Sequence, residues 1–315
     1  MPALLAQIGI DTSIFGDPVA PDAMHFLGLS FPGIPVLPLG TNGDVAYSFT
    51  YLYGDLTDWY AEEIQLDARG KPSASRFRAA WRPLVATDER YEIANVPTLN
   101  SVGRTETWTR WSTFDGRRLA SIEGRPATAM TVPGAGESLV EIQGTMVIPA
   151  DVNGDGVISG VSFDYTGLDV SDIVMGLRQF ARARNVGEVQ SAQHRFVGFA
   201  QNFVAADRRG NVYYSGYTGT PCRDYLPRPG GVWSRGADPR MLLDGTQYAG
   251  FTIPLDATGM PDETMGVADA QRCVIPNAQW PTAINPTRGY VLTANNDLGG
   301  TSLDNNLAND TYYLG

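Results

Sequence analysis

Histidine and cysteine are scarce in this sequence, with two of each in 315 residues. A zinc finger, a CxxC redox pair or a cluster of histidine metal ligands is therefore almost excluded. The sequence also lacks any run of 18 or more apolar residues, which is the minimum that a membrane-spanning helix needs. What remains is a chain with 43% hydrophobic residues, enough to build a buried core.

Positive charge is scarce as well. The chain has 23 lysines and arginines, of which only one is a lysine, against 34 acids, and its net charge is −11. Nucleic acids and anionic membranes are bound through basic surfaces, so we expect neither as a partner. The lack of lysine, beside abundant Asp, Thr, Asn and Gly, favours a periplasmic or secreted location.

The pattern of residues predicts a β-rich α/β protein. The 35 glycines and 21 prolines indicate many turns, and Asp207–Asn211 has the composition of a hairpin turn. Apolar alternation predicts strands at 25–39, 44–50, 91–97, 106–113, 138–148, 211–217 and 289–294. Helices are predicted at 172–184, capped by Ser171, and at 187–196, whereas 218–288 is predicted to be long surface loops. The stripe Ile173, Val174, Leu177, Phe180 and Ala181 gives the first helix its buried face.

Cys222 and Cys273 both fall in loop-like sequence, 51 residues apart. Because their spacing is not of a metal-binding type, we favour a disulfide over two free thiols in a reducing compartment. In the chain-entropy treatment such a bridge contributes roughly 4 kcal/mol.

Two acidic motifs are candidates for a cation site. Asp151–Ser162 contains the first half of an EF-hand loop, but the twelfth position is Ser162 rather than a bidentate acid, so a simple turn is favoured. Asp55 and Asp58 stand three residues apart after a predicted strand. They either share a hard cation or cap the start of a helix, and spacing alone favours the cap. His25 and His194 lack a nucleophile elbow nearby and are predicted to be structural or surface residues.

Four segments occur in the order found in one enzyme family. They are SFPGIPVLPLGTNGDVAYSFTYLYGDLTDWYAEEI (30–64), FAQNFVAADRRGNVYYSGYTGTPCRD (199–224), NPTRGYVLTANND (285–297) and DTYYLG (310–315). Together they resemble the large β chain of the penicillin-acylase family of N-terminal-nucleophile amidohydrolases. The resemblance covers roughly residues 25–315, with a divergent middle at about 66–160.

This resemblance implies an incomplete N-terminal-nucleophile αββα sandwich with long loops, formed by residues 1–315 as a single partial β-chain domain truncated at both ends. It also implies hydrolysis of a linear amide, such as a β-lactam side chain or an acyl-homoserine lactone. In this family an N-terminal Ser, exposed by autocatalytic cleavage, is the nucleophile and its own α-amino group is the base. The implied partners are a small-molecule amide substrate, an α chain and the remainder of the β chain.

The resemblance also assigns roles to particular residues. Asn295 matches the side chain, and Tyr51 the backbone N–H, that stabilise the oxyanion. A calcium ion, present in some family members, would be bound by Asp55, the carbonyl of Thr57 and Asp58. Asp224, through its carbonyl, and Asp310 are weaker matches.

The sequence departs from the family pattern at several positions. Thr41 replaces a His, Tyr47 replaces a Trp, and no nucleophile is found, so we expect this chain alone to be inactive. Five aromatic residues either line an acyl pocket or, as we favour for most of them, belong to the β core. They are Phe31, Tyr47, Phe49, Tyr51 and Tyr53. The alternative function is a non-catalytic secreted binding module stabilised by calcium.

Overall fold

A computed structural model describes residues 6–11, 24–31, 38–52, 54–169, 172–265 and 271–294. The strands are β1 Ala6–Asp11, β2 His25–Ser30, β3 Leu39–Thr41, β4 Val45–Tyr51, β5 Thr57–Leu66, β6 Pro72–Phe77, β7 Ala80–Pro83, β8 Val85–Ile93, β9 Arg104–Ser112, β10 Arg118–Ile122, β11 Gly124–Pro126, β12 Val140–Ile142, β13 Thr145–Pro149, β14 Val157–Tyr165, β15 Gln201–Asp207, β16 Val212–Ser215, β17 Leu243–Asp244 and β18 Thr282–Ile284. The α-helices within these ranges are α1 Ile173–Phe180 and α2 Val186–Gln193.

The chain divides into two compact units. The first contains residues 1–56, 165–225 and 251–315, and the second contains residues 57–164 and 226–250. That both belong to one catalytic domain stays a prediction. The β-rich architecture with two helices agrees with the predicted fold class.

The first unit is built on a seven-stranded sheet in the order β1-β2-β3-β4-β15-β16-β18. Val45, Tyr47 and Phe49 of β4 are buried or partly buried on one face, which is the period-2 pattern that predicted this strand. This face packs against both helices in an aromatic core. Its largest members are Phe26, Tyr47, Phe180, Phe196, Phe203 and Tyr213.

Both helices of the first unit are shorter than predicted. Helix α1 begins after Asp172, whose side chain accepts a hydrogen bond from the N–H of Met175. The predicted cap, Ser171, lies outside the described residues. The side chain of Asn185 is a second cap. It accepts a hydrogen bond from the N–H of Glu188 and begins α2, so a short non-helical segment separates the two helices. Within the predicted buried stripe Val174 is wrong, because its side chain is 51% exposed.

The hairpin between β15 and β16 confirms the predicted turn. The Asp207 carboxylate accepts hydrogen bonds from the N–H groups of Arg209 and Asn211, at 2.9 and 3.1 Å. These bonds satisfy the backbone of the turn from within the turn itself. The predicted strand at 289–294 is wrong, since this segment has no regular structure. In the described parts of the predicted loop region 218–288, the regular elements are two short strands and short 3₁₀ helices.

The second unit contains an eight-stranded sheet in which seven strands follow the order β7-β6-β5-β14-β10-β9-β8, while β17 pairs with β5 in parallel. A smaller sheet has the order β11-β13-β12. The core of the second unit is mainly aliphatic. Its buried members are Trp111 and the aliphatic residues Ile64, Leu119, Ile122, Val140, Ile142 and Ile158. The helix start considered at Asp55 and Asp58 is wrong, because Asp58 lies in strand β5.

The loop at Asp151 is a turn and not an EF-hand. The Asp151 carboxylate accepts the N–H groups of Gly154 and Gly156, both at 2.7 Å. Strand β14 follows directly, so the exiting helix of an EF-hand is missing. Ser162 lies in that strand and is buried.

The predicted disulfide is confirmed. Cys222 and Cys273 are bonded with their Cα atoms 5.3 Å apart, and the N–H of Cys222 also donates to the carbonyl of Cys273. Within the described ranges no helix is long and apolar enough to cross a membrane.

Candidate active site

The predicted site lies at the end of strand β4, in the first unit. Residues 46, 48 and 50 of β4 alternate with 45, 47 and 49. The N–H of Arg208 donates to the carbonyl of Asp44, and the N–H of Leu52 donates to the carbonyl of Ala200. Even-numbered residues therefore bond to β15, and the backbone N–H of Tyr51 faces the opposite edge. Among the described residues, strand β3 pairs with β4 at residues 46 and 47.

A segment distant in sequence crosses to this strand end. The Thr50 hydroxyl lies 2.7 Å from the hydroxyl of Thr293 and donates to the carbonyl of Ala294 at 2.9 Å. Asn295, the predicted oxyanion side chain, lies outside the described residues but is the next residue in the chain. The contact therefore places Ala294, the chain neighbour of Asn295, beside Thr50, the chain neighbour of Tyr51.

The same segment covers part of the outer face of the sheet. A groove of about 340 Å³ lies between the strands and residues 289–291. Its walls are mostly small or apolar side chains, with a single Ser and two Tyr. The lining includes Ala46, Ser48, Val204, Ala206, Val212, Tyr290 and Val291.

One buried amide supports the end of β4 and was missed by sequence reasoning. The Asn202 side chain donates to the carbonyl of Tyr51 at 3.0 Å and accepts from the Tyr214 hydroxyl at 2.8 Å. Asn202 is fully buried, and burial also raises the pKa of Tyr214. The QN pair in the second motif segment was a usable signal, because a buried Asn in a strand needs partners for its amide.

The aromatic candidates separate into two groups. Tyr47 is buried and Phe49 packs against the aromatic core, so for these two the β-core prediction is correct. Tyr51 is 50% exposed. Phe31 is partly buried, and Tyr53 lies outside the described residues.

Thr41 and the two histidines occupy structural positions. Thr41, in place of the family His, donates to the carbonyl of Val45 at 3.0 Å and accepts from the N–H of Gly43, which closes the β3–β4 turn. His25 is exposed and pairs with Asp11 across β1 and β2 at 3.1 Å. His194 ends α2, and burial lowers its pKa.

The predicted calcium ligands are distributed over both units. In the first unit Asp55 forms an ion pair with the buried Arg223 at 2.9 Å, and Asp224 is exposed. In the second unit Thr57 is the first residue of β5 and Asp58 is fully buried. Asp310 lies outside the described residues. Among those that are described, no three His, Cys, Asp or Glu side chains converge as metal ligands.

Comparisons with known proteins agree with the resemblance that the motifs indicate. A search of curated protein sequences finds no significant match. Among solved structures, the chain resembles a thermostable penicillin G acylase from Alcaligenes faecalis, with 19% identity and a TM-score of 0.53. The alignment covers 94% of this chain and 39% of that one, so the chain spans about two fifths of its structural relative. A model of the penicillin amidase family matches residues 1–314, and the chain therefore belongs to the penicillin amidase family.

Proposed function

We propose that the protein to which this chain belongs hydrolyses a linear amide into a carboxylic acid and an amine. The Tyr51 N–H and the Asn295 side chain would stabilise the oxyanion. The contact of Thr50 with Thr293 and Ala294 is the observation that carries this proposal. It joins the two motif segments that contribute the two donors, although they are more than 240 residues apart in the chain.

The proposed reaction has two halves. A nucleophilic hydroxyl adds to the amide carbonyl while an α-amino group removes its proton, and the negative charge develops on the carbonyl oxygen. Collapse expels the amine, which takes that proton, and water then hydrolyses the ester. Each preorganised oxyanion donor lowers the barrier by about 3 kcal/mol. We take both the nucleophile and the base from an N-terminal residue outside this chain, as the family resemblance implies.

The groove on the outer sheet face supports an apolar acyl group as the part of the substrate held by this chain. Its small side chains, Ala46, Ser48 and Ala206, leave space, while Tyr290 and Val291 close it from the crossing segment. Acyl groups of β-lactam side chains and of acyl-homoserine lactones both have this character. The α chain and the rest of the β chain would complete the pocket.

Two further properties are proposed, a compartment and a metal ion. The disulfide favours an oxidising compartment, which supports a periplasmic or secreted protein. Calcium rests on the resemblance alone, because the guanidinium of Arg223 already neutralises Asp55 and a second cation there would be repelled. A chelator tests it, since an unchanged melting temperature would contradict a structural calcium ion.

The decisive experiment uses the complete gene product and a chromogenic acyl anilide. Asn295→Ala and Tyr51→Pro each remove one proposed donor, and each should lower kcat by about 100-fold or more. Tyr51→Phe keeps the backbone N–H and is the matched control, so it should keep near wild-type turnover.

Thermal melts of the three variants separate catalysis from folding. Retained turnover in Asn295→Ala would remove the oxyanion assignment. If the wild-type gene product hydrolyses no acyl anilide at all, the non-catalytic binding module becomes the better explanation.

A further inference from the structure

The stretch that contains the hairpin of β6 and β7 concentrates positive charge in an otherwise acidic chain. Residues 68–87 contain five cations and no acid. The cations are Arg69, Lys71, Arg76, Arg78 and Arg82, and all five are exposed. Outside this stretch the chain has 18 cations against 34 acids. The chain is therefore acidic as a whole but basic in this one stretch.

Aromatic rings lie among these cations. The rings of Phe77 and Phe114 are 4.8 Å apart. The guanidinium of Arg78 lies 5.1 Å from the Phe77 ring, and that of Arg82 lies 5.9 Å from the Phe114 ring. A guanidinium held against a ring keeps its N–H edge available to a carboxylate.

Among the described residues, two of these arginines have no acidic partner. Arg76 forms an ion pair with Glu63 at 2.8 Å. Arg78 and Arg82 form no such pair with any carboxylate in the described part of the chain. Their charge is therefore directed to solvent or to a partner.

Arg78 also occupies a backbone position that suits other residues better. Its φ is 54°, in the left-handed region that Gly and Asn adopt at lower cost in two-residue hairpins. The N–H of Arg78 donates to the carbonyl of Thr246 at 2.6 Å and holds the turn in place. A strained position that carries a charged side chain is a reason to look for a function at that side chain.

Strand β7 forms one end of the eight-stranded sheet. All four of its residues, Ala80–Pro83, are exposed. An edge strand of this kind accepts an extended peptide, although charged edges also prevent pairing between sheets. Peptide binding and the prevention of pairing can be told apart, because only peptide binding requires affinity for an anionic chain.

We propose that this surface, the cationic hairpin (residues 72–83 with Phe114), binds an extended acidic segment of a partner polypeptide. Its carboxylates would pair with Arg78 and Arg82, and its apolar side chains would contact the rings. A short peptide touches the hairpin alone. An anionic bilayer or a nucleic acid is an extended polyanion and would also meet the acid excess of the rest of the chain, which disfavours both.

Fluorescence anisotropy of a labelled decaglutamate peptide with the full chain tests the proposal. We expect saturable binding that weakens with added salt. Arg78→Asn with Arg82→Gln should weaken it by about fivefold or more, as expected for the loss of two charge pairs. Asn is chosen because it tolerates a positive φ, so the melting temperature should not fall.

The matched control is Arg90→Gln, which removes an exposed arginine from the β8–β9 hairpin, at the other end of the strand order, where Arg90 pairs with Glu92. It should bind the peptide as the wild type does. Equal affinity in the wild type and the double variant, or no binding at all, would overturn the proposal. Tighter binding to phosphatidylglycerol vesicles or duplex DNA, lost in the same variant, would overturn the choice of partner.

Discussion

The two units of this chain build their cores from different materials. In the first, the sheet and helices enclose aromatic rings, with Phe180, Phe196 and Phe203 having centroids about 5 Å apart. In the second, the apolar core is mainly aliphatic, and the unit also contains a buried ion pair between Arg117 and Glu62 at 2.7 Å. Both of these charged side chains are fully buried.

The charged core of the second unit is held by several elements. Arg117 stacks on the ring of Tyr60 and also pairs with Asp115. Ser162 donates to Glu62, and Asp115 accepts from the N–H of Gly250. Ring pairs accept more than one favourable arrangement, offset-stacked or edge-to-face, whereas each buried charge needs a defined partner. The comparison therefore predicts that the second unit is the more sensitive to single charge changes.

The largest effect should come from removing one partner of the buried ion pair. Arg117→Met leaves Glu62 buried without its cation and should cost about 3–5 kcal/mol in the free energy of unfolding. The double variant Glu62→Leu with Arg117→Met should recover most of this loss. Chemical denaturation measures both, and an equal loss in the double variant would show that packing, not charge, is decisive.

The next effect concerns the first unit. Cys222→Ser with Cys273→Ser removes the only cross-link between described residues and should cost about 2–4 kcal/mol. The wild type in reducing agent is the matched control and should melt with the double variant. A difference between them would assign the loss to the serine side chains.

Smaller effects should follow when each apolar core loses little volume. Phe203→Leu in the first unit and Ile158→Val in the second should each cost about 1 kcal/mol. Both residues are buried, at 0% and 2% exposure. A much larger loss for Phe203→Leu would show that ring contacts stabilise the first unit beyond simple burial.

The smallest effects should appear in the pH dependence, with opposite signs. Burial raises the pKa of Glu62, so its stabilisation is complete below the ordinary value of 4.5 and is lost as pH rises through the raised value. Burial lowers the pKa of His194, so its stabilisation is present above 6.5 and is lost as pH falls through the lowered value. Unfolding free energies against pH should lose the first slope in Glu62→Gln and the second in His194→Gln.

Local pattern predicted elements in both units. In the second unit, the strands predicted at 106–113 and 138–148 correspond to β9 and to β12 with β13. Strand β4, the Asp207 turn and the two helices have periodicity or caps that are visible within a few residues. Strand β5 does not, because two of its inward-facing residues are the acids Asp58 and Glu62, which break the hydrophobic alternation. The partner of Glu62, Arg117, is 55 residues further on.

The candidate site was predicted by residue type and not by geometry. Motif resemblance supplied Tyr51 and Asn295. The bond of Thr50 to residues 293 and 294, and the buried Asn202 behind Tyr51, join residues 150 or more positions apart. Such contacts depend on the whole sheet, so a local stretch of sequence does not show which residues they join, although the QN pair is a signal for Asn202 itself.

The disulfide has a consequence for the connectivity of the chain. Residues 222–273 form a closed covalent ring, and this ring contains the whole stretch 226–250 that the second unit takes from the late part of the sequence. A single backbone cut anywhere inside the ring leaves both fragments attached through sulfur. Such a nicked molecule would migrate as one 34.0 kDa species until it is reduced, and only then separate into two polypeptides.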